Sequence, residues 1–355
     1  MPRNMANSKE LVYKDYLCLN KILDAQHRET EKEGRTPHHD EHFFIIIHQV
    51  YELWFKEIIF ELKSIMKMLK DSVTFDFKDL FKVNERMTRI ITIQKLLMEQ
   101  LEVMETLQPA SFIGFRSYLF PASGFQSYQF RILENMFGLK KEWRSEFGQQ
   151  HYKDAHSEAT VKDIEKSEKE DSFLSVMDTW LVKVFGQEPE ADRFWRDFEK
   201  GVKDKIEDIN KKYSSKATSA DVRVKHEAEV AVWKSVIEKE RHDQKFDTGD
   251  RRMSFGSWKG ALLITYYRTK QEKYGLAYRF LNHVRDADSL FMKWRYHHVK
   301  MVHRMIGNKS GTGGTQSGYG YLKTTVGDEY QVFRDLFDFQ GFLLEPDYLP
   351  QYSHD

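Results

Sequence analysis

His48 and His298 stand far apart in the chain, and each is alone on the apolar face of a segment with helical periodicity. At about 100° per residue, positions three, four and seven apart share one face of a helix. His298 therefore shares its face with Phe291, Trp294, Val302 and Met305. His48 has Phe44, Ile45, Tyr51 and Phe55 around it, with Glu52 one turn on. His297 and His303 both neighbour Lys300 and are expected to face solvent. Two imidazoles on apolar stripes are, on periodicity alone, most simply hydrogen-bonded core groups. They also suit haem, which needs an apolar slot between helices, one imidazole on iron, and a distal side left open or lined by polar groups. Spacing leaves open which histidine would take which side.

Two further patterns invite a chemical reading. "HHDEH" places His38 and His42 at i, i+4, a spacing that lets two imidazoles bind one metal from one helix face. A zinc-protease helix would carry glutamate directly after the first histidine, but His39 stands there. "GTGGTQSGYG" suggests a phosphate cradle, yet a helical segment precedes it, and Lys309 and Ser310 come before its glycines rather than after them. That order disfavours nucleotide binding. Successive N–H groups of such a loop can still hold a carboxylate.

The elements that must position these groups read as helices. Proline is missing from His38 to Gln108, from Ala122 to Glu188 and from Glu190 to Glu345, gaps that permit long helices. Apolar recurrence at i, i+3, i+4 is common and strand alternation scarce, so the expected class is all-α, a helical bundle. Residues 1–36 are polar with one short amphipathic stretch and read as an amino-terminal arm. Residues 37–355 read as the helical domain, with the charge-rich stretch 187–250 an inserted helical subdomain. The first half of the helix at "HDEHFFIIIHQVYELWF" is apolar nearly all round and is expected to be buried. "QPASFIGFRSYLFPASGFQSYQFRILENMFG" carries Pro109, Gly114, Pro121 and Gly124, and reads as a long irregular segment of the kind that often carries function.

Composition excludes several classes. Lys plus Arg and Asp plus Glu are equal at 55 each, which gives no global pull toward nucleic acid or an anionic membrane. Cys18 is the only cysteine, so no intrachain disulfide or cysteine-rich zinc site can form, as suits a reducing compartment. The start, "MPRNMANSKELVYKDY", lacks the apolar core of a signal peptide, and the longest strictly apolar run, Phe43–Ile47, falls far short of the ~18 residues of a membrane helix. The expectation is a soluble cytosolic protein.

Three blocks, "HHDEHFFIIIHQVYELWFKE", "FIGFRSYLFPASGFQSYQFR" and "KWRYHHVKMVHRMIGNKSGTGGTQSGYGYL", together resemble the tryptophan 2,3-dioxygenase family, and the likeness extends over nearly the whole chain. The charged 187–250 stretch resembles that of the animal members. The resemblance implies a cytosolic homotetramer with haem b, ferrous in the active state. It would insert both atoms of O2 across the indole C2–C3 bond of L-tryptophan to give N-formyl-L-kynurenine, the first step of tryptophan catabolism by the kynurenine pathway. Matched by position, His298 is the axial iron ligand and His48 the distal histidine. Arg116 holds the substrate carboxylate, and Thr312 contacts the amino-acid end. Phe44 is the aromatic wall beside the indole, with Leu119 nearby, while Ser123 and Gly124 form the turn over the haem. Tyr13 and Tyr16 of the arm match tyrosines that reach into a neighbouring subunit's pocket. Phe112 stands where bacterial members carry tyrosine, so only apolar lining is implied there. The related indoleamine dioxygenases lack the distal histidine, which favours the tryptophan-specific family. Two readings from other classes are a metal-dependent hydrolase built on His38 and His42, and a helical interaction scaffold needing neither metal nor the two apolar-face histidines.

Overall fold

A computed structural model describes residues 11–72, 77–144, 156–214, 219–309 and 318–352. Helices and short 3-10 turns account for all regular structure among the described residues, in agreement with the all-α expectation.

The frame that carries the two histidines is built from three long helices. Helix α3 (His39–Asp71) follows Pro37, and Asp40 and Glu41 in its first turn suit the positive end of the helix dipole. Its buried positions Ile47, Tyr51, Phe55, Ile58, Leu62, Ile65 and Leu69 recur every three or four residues. Helix α4 (Phe77–Met104) repeats the pattern with Leu80, Val83, Met87, Ile90, Gln94, Leu97, Leu101 and Met104. A period near 3.5 keeps one seam facing a neighbour, and the short link between the two helices makes them antiparallel partners. Side chains bolt the seam: the Tyr51 hydroxyl donates to the Leu97 carbonyl at 2.6 Å. The third long helix, Glu272–Ile306, packs along α4. There the Asn84 and Gln94 amides donate to the Leu276 and Ala287 carbonyls, each at 3.1 Å.

The segment expected to be irregular is mostly helical. Pro109 opens helix α5 (Pro109–Arg116), where its missing N–H costs no hydrogen bond. Ser117–Leu119 and Gly124–Gln126 are single 3-10 turns. Ser127 then caps α6 (Tyr128–Phe137), which ends on Gly138 at φ 119°. The prolines and glycines mark helix boundaries here, not a long loop. Gly114 sits inside α5 because the His38 ring covers it: a Cβ there would lie 2.6 Å from His38 Cε1.

The remaining helices pack on this frame. They are α7 (Glu158–Lys169), α8 (Phe173–Gln187), α9 (Ala191–Ser214), α10 (Ala220–Ile237), α11 (Lys239–Asp247) and α12 (Phe255–Tyr267), with Glu272–Ile306 as α13, followed by α14 (Gly318–Thr324) and α15 (Asp335–Asp338). Gly260 lets α12 approach α8 closely, since a Cβ there would fall 2.4 Å from the Leu181 carbonyl oxygen. The charge-rich 187–250 stretch holds α9 to α11. It buries Phe194, Phe198, Val202 and Ile209 of α9 in the same apolar core as the long helices. Its ion pairs, such as Lys203–Glu199 and Lys211–Asp208, lie on the surface.

One expectation changes near the amino terminus. The first half of α3 is not buried all round, because Ile46 and Leu53 face outward while Phe44, Ile45 and His48 line a cavity. The arm is exposed only in its outer part. α1 (Tyr13–Tyr16) and α2 (Leu19–Ile22) bury no residue, but the chain beyond them is fastened to α3. Gln26 donates to the Gln49 side-chain oxygen at 2.7 Å, and Gln49 returns a bond to the Ala25 carbonyl at 2.9 Å. The buried Glu41 carboxylate accepts from the Glu29 N–H at 2.7 Å, and from the Thr30 N–H at 3.0 Å and hydroxyl at 2.5 Å.

Candidate active site

His48 from α3 and His298 from α13 open into one cavity of about 630 Å³. This volume lies within the usual range for a small-molecule or cofactor pocket. The walls also include Phe44, Leu119, Ser123 and Gly124, so most of the residues singled out in the sequence come together here. His297 and His303 are exposed, as the facial pattern predicted.

The tautomer of His48 follows from its partner. Its Nδ1 lies 2.7 Å from the Phe44 carbonyl oxygen, which can only accept, so Nδ1 carries the proton. Nε2 is then the lone-pair atom, and it points toward Gly124, where a Cβ would lie 4.0 Å from it. Burial holds the His48 pKa below its ordinary value, against the opposing pull of the Phe44 carbonyl and Glu52. The site thus offers a neutral imidazole acceptor to an N–H group in the cavity.

His298 stacks on Trp294, one turn earlier, at 4.8 Å between centroids and 11° between planes. It is half-buried and lines the cavity. Burial pushes its pKa down to about 4, helped by His48 and Arg295. A neutral imidazole facing a cavity is the state a metal ion requires. The described residues include no group of three His, Cys, Asp or Glu side chains that could hold a metal ion. His38 instead packs over Gly114 and Phe115, whereas His42 is exposed, and the i, i+4 pair builds no site of its own.

An aromatic wall stands beside His48. The Phe44 ring lies 4.2 Å from the His48 ring, 5.3 Å from Phe112 and 5.7 Å from Phe115. Ser123 and Gln126 form a reciprocal capping box that fixes the turn carrying Gly124. Gln129 of α6 ties this segment to α3 by donating to the Glu52 carbonyl at 2.9 Å and to its carboxylate at 2.8 Å.

A family model described as "Tryptophan 2,3-dioxygenase" matches residues 2–343. Over 352 residues the chain is 41% identical to the "Tryptophan 2,3-dioxygenase" of Rattus norvegicus, covering 98% of this chain and 86% of that protein. The proteins of that name from Mus musculus and Xenopus laevis are each 40% identical with the same coverage. The chain belongs to the tryptophan 2,3-dioxygenase family.

Among the described residues, Arg116, Tyr13 and Tyr16 are matched to the family but do not line the cavity. Arg116 is half-buried at the end of α5, one turn beyond the cavity-lining Phe112. Tyr13 and Tyr16 are 73% and 69% exposed on α1, away from buried surface. Thr312 lies outside the described residues.

Sequence reasoning missed a charged group on the cavity wall, formed by Arg131 and Glu134 of α6 and Arg295 of α13, with Tyr321 of α14 beside them. Arg131 and Glu134 are an i, i+3 pair, and Arg295 precedes His298 by one turn. Both spacings are visible in the sequence but are equally typical of a solvated helix face.

Proposed function

We propose that this family member oxidises L-tryptophan with O2 in the cavity between α3, α6 and α13, with haem b held there by His298. The chain is an oxidoreductase of the dioxygenase class, adding both oxygen atoms across the indole C2–C3 bond to yield N-formyl-L-kynurenine, the first step of the kynurenine pathway. One observation carries the site: the two histidines picked out by their apolar stripes converge on one cavity, both held neutral by burial.

The residues present fit haem b. The wall is predominantly apolar and aromatic, His298 supplies a neutral nitrogen, and Arg131 and Arg295 bring cationic groups suited to the carboxylates of a porphyrin. When bound, ferrous haem makes O2 able to react with a closed-shell indole, which no side chain does alone.

The protein's own residues bind and orient. His48 Nε2 accepts the indole N–H, which fixes the rotation of the ring against Phe44. His48 has no need to remove that proton, because an indole N–H is a far weaker acid than an imidazolium, whose reference pKa is about 6.5. Leu119 and Phe112 extend the apolar lining, and the Ser123–Gly124 turn closes the space and excludes water. Arg116 is assigned the carboxylate of the amino acid, a planar fork being the shape a carboxylate takes best, and Thr312 a contact to the amino-acid end. The assembly is a homotetramer in which Tyr13 and Tyr16 enter a neighbouring protomer. In support, α1 and α2 leave Leu11, Tyr13, Tyr16 and Leu23 each more than two-thirds exposed within one protomer. The assigned location is the cytosol; no helix among the described residues is long and apolar enough to cross a membrane.

The test is an absorption spectrum of the purified chain after supply of haem, with product formation measured on tryptophan. A Soret band lost in His298→Ala, with helicity retained by circular dichroism, is expected. A normal Soret band and ferrous spectrum in that variant would remove His298 from the role, and absence of any haem uptake by the native chain would remove the cofactor assignment.

A further inference from the structure

One turn of α13 before His298, Arg295 turns into a buried charge cluster centred on Glu134. The Glu134 carboxylate meets Arg295 at 2.5 Å, Arg131 at 3.0 Å and Arg144 at 3.7 Å. The four side chains are between 1% and 11% exposed, and all but Arg144 line the cavity. Burial alone would favour a neutral acid, but Arg131, Arg295 and Arg144 together outweigh it and hold the Glu134 pKa at about 2. The group is therefore an anion at every pH of interest, set among cations beside the helix turn that carries His298. The cluster is also braced from behind. Arg144 donates to the Asn135 side-chain oxygen at 2.6 Å, and Asn135 donates to the Ser167 hydroxyl at 2.8 Å. Such bracing keeps the charges from relaxing away from the cavity.

We propose that Glu134 is a positioning residue that holds Arg131 and Arg295 at the cavity wall and, by offsetting their charge, sets the reduction potential of the iron bound at His298. This rests on the haem assignment above. Ferric haem carries one more positive charge than ferrous haem, so a buried anion nearby favours the ferric form and buried cations favour the ferrous form. Charges in a poorly solvated interior are weakly screened, and their effect on the couple persists at physiological salt. With three guanidiniums around it, Glu134 tempers a field that otherwise draws the iron toward the ferrous state, the state in which the enzyme is active. Redox poise and the grip on anionic groups in the cavity are thereby set by the same side chains.

The test is an anaerobic redox titration of the haem-loaded protein, with dithionite as reductant and mediator dyes, followed at the Soret band. Glu134→Gln keeps an oxygen acceptor for Arg295 but removes the charge, and is expected to shift the ferric–ferrous equilibrium at least tenfold toward ferrous, 59 mV upward for one electron. Arg131→Met removes a cation and is expected to shift the couple the opposite way. Glu134→Asp and Arg131→Lys keep the charges and are expected to stay near the native value, which also guards against a variant that fails to fold. Opposite shifts from the two charge-removing variants would establish the electrostatic role. Shifts of the same sign, or none, in variants that hold haem normally would overturn it, because loosened packing that admits water moves both variants alike. Failure of the native chain to take up haem is a separate outcome, and it defeats the cofactor assignment itself.

Discussion

Replacing His48 by alanine tests the division of labour in the cavity. The side chain offers one neutral acceptor, Nε2, because Nδ1–H is committed to the Phe44 carbonyl at 2.7 Å. Its loss removes one neutral hydrogen bond to the indole N–H, worth about 0.5–1.5 kcal/mol net. At about 1.4 kcal/mol per factor of ten, that is roughly a two- to twelvefold fall in kcat/KM. Somewhat more is expected if Phe44, whose ring leans on His48 at 4.2 Å, turns into the vacated space and blurs the orientation of the indole. Steady-state assays on tryptophan and N1-methyltryptophan, with single-turnover product analysis, make the comparison. The variant should bind haem, turn over tryptophan with a larger apparent KM, and accept the N1-methyl compound at least as well as the native enzyme. The native pH profile should stay level through neutrality and fall only below the ordinary histidine range, because burial lowers the His48 pKa and the neutral form is the acceptor. A variant that binds haem and tryptophan normally yet forms no product in a single turnover would refute this reasoning and make His48 a base or proton shuttle.

Arg116→Ala should weaken tryptophan by about 2–5 kcal/mol, as for truncating one partner of a desolvated charge pair, and leave indole ligands without a carboxylate nearly unaffected; equal losses for both would mean a structural role. Removing residues 1–20 should lower activity and loosen assembly together, and hybrids of arm-deleted with Arg116→Ala chains should regain some active sites; hybrids with none would assign each arm to its own protomer. Gly260→Ala should destabilise the fold by about 1–3 kcal/mol in denaturant titration, because the Leu181 backbone would have to move from α12, and an unchanged midpoint would contradict that contact. Burial raises the Asp288 carboxyl to about 7, against the Val332 and Phe333 N–H groups and Arg295 and Arg252. The folded state therefore binds this proton more tightly than the unfolded chain, and native stability from this group falls as pH rises from about 3.8 to 7. Asp288→Asn should accordingly lose less stability relative to native at pH 8 than at pH 5, and a pH-independent difference would show that Asp288 does not titrate there.

Periodicity carried the helices, because a long amphipathic stripe is redundant: Ile47 to Leu69 and Leu80 to Met104 repeat their apolar positions over many turns. The same redundancy made His48 and His298 stand out as polar interruptions. Short elements lacked it. Pro109 and Gly114 look like loop residues until the helix that the one opens and the His38 ring over the other are seen, and the second is a tertiary fact. Glu134, Arg131 and Arg295 were illegible for a related reason. A charged side chain reads the same whether its helix face meets water or three buried partners, and only packing decides. The exposure of Ile46 and Leu53 reflects a cavity on one side of α3 and open surface on the other, which a count of apolar residues cannot distinguish from a core helix.

The paired bonds between Gln49 and the Ala25–Gln26 stretch give the arm a measurable tether. Twelve peptide links separate Ala25 from Tyr13, and a chain pulled straight spans at most about 3.6 Å per link, a radius of roughly 43 Å. Any quaternary arrangement in which Tyr13 serves another protomer must bring that protomer's pocket mouth inside this sphere. Helical turns within α1 and α2 shorten the leash further, since helix advances only about 1.5 Å per residue. The constraint is one-sided. Glycine and serine inserted between Leu23 and Ala25 add slack whose entropic cost grows only with the logarithm of length, whereas deletions there draw the sphere inward until the two sites can no longer meet.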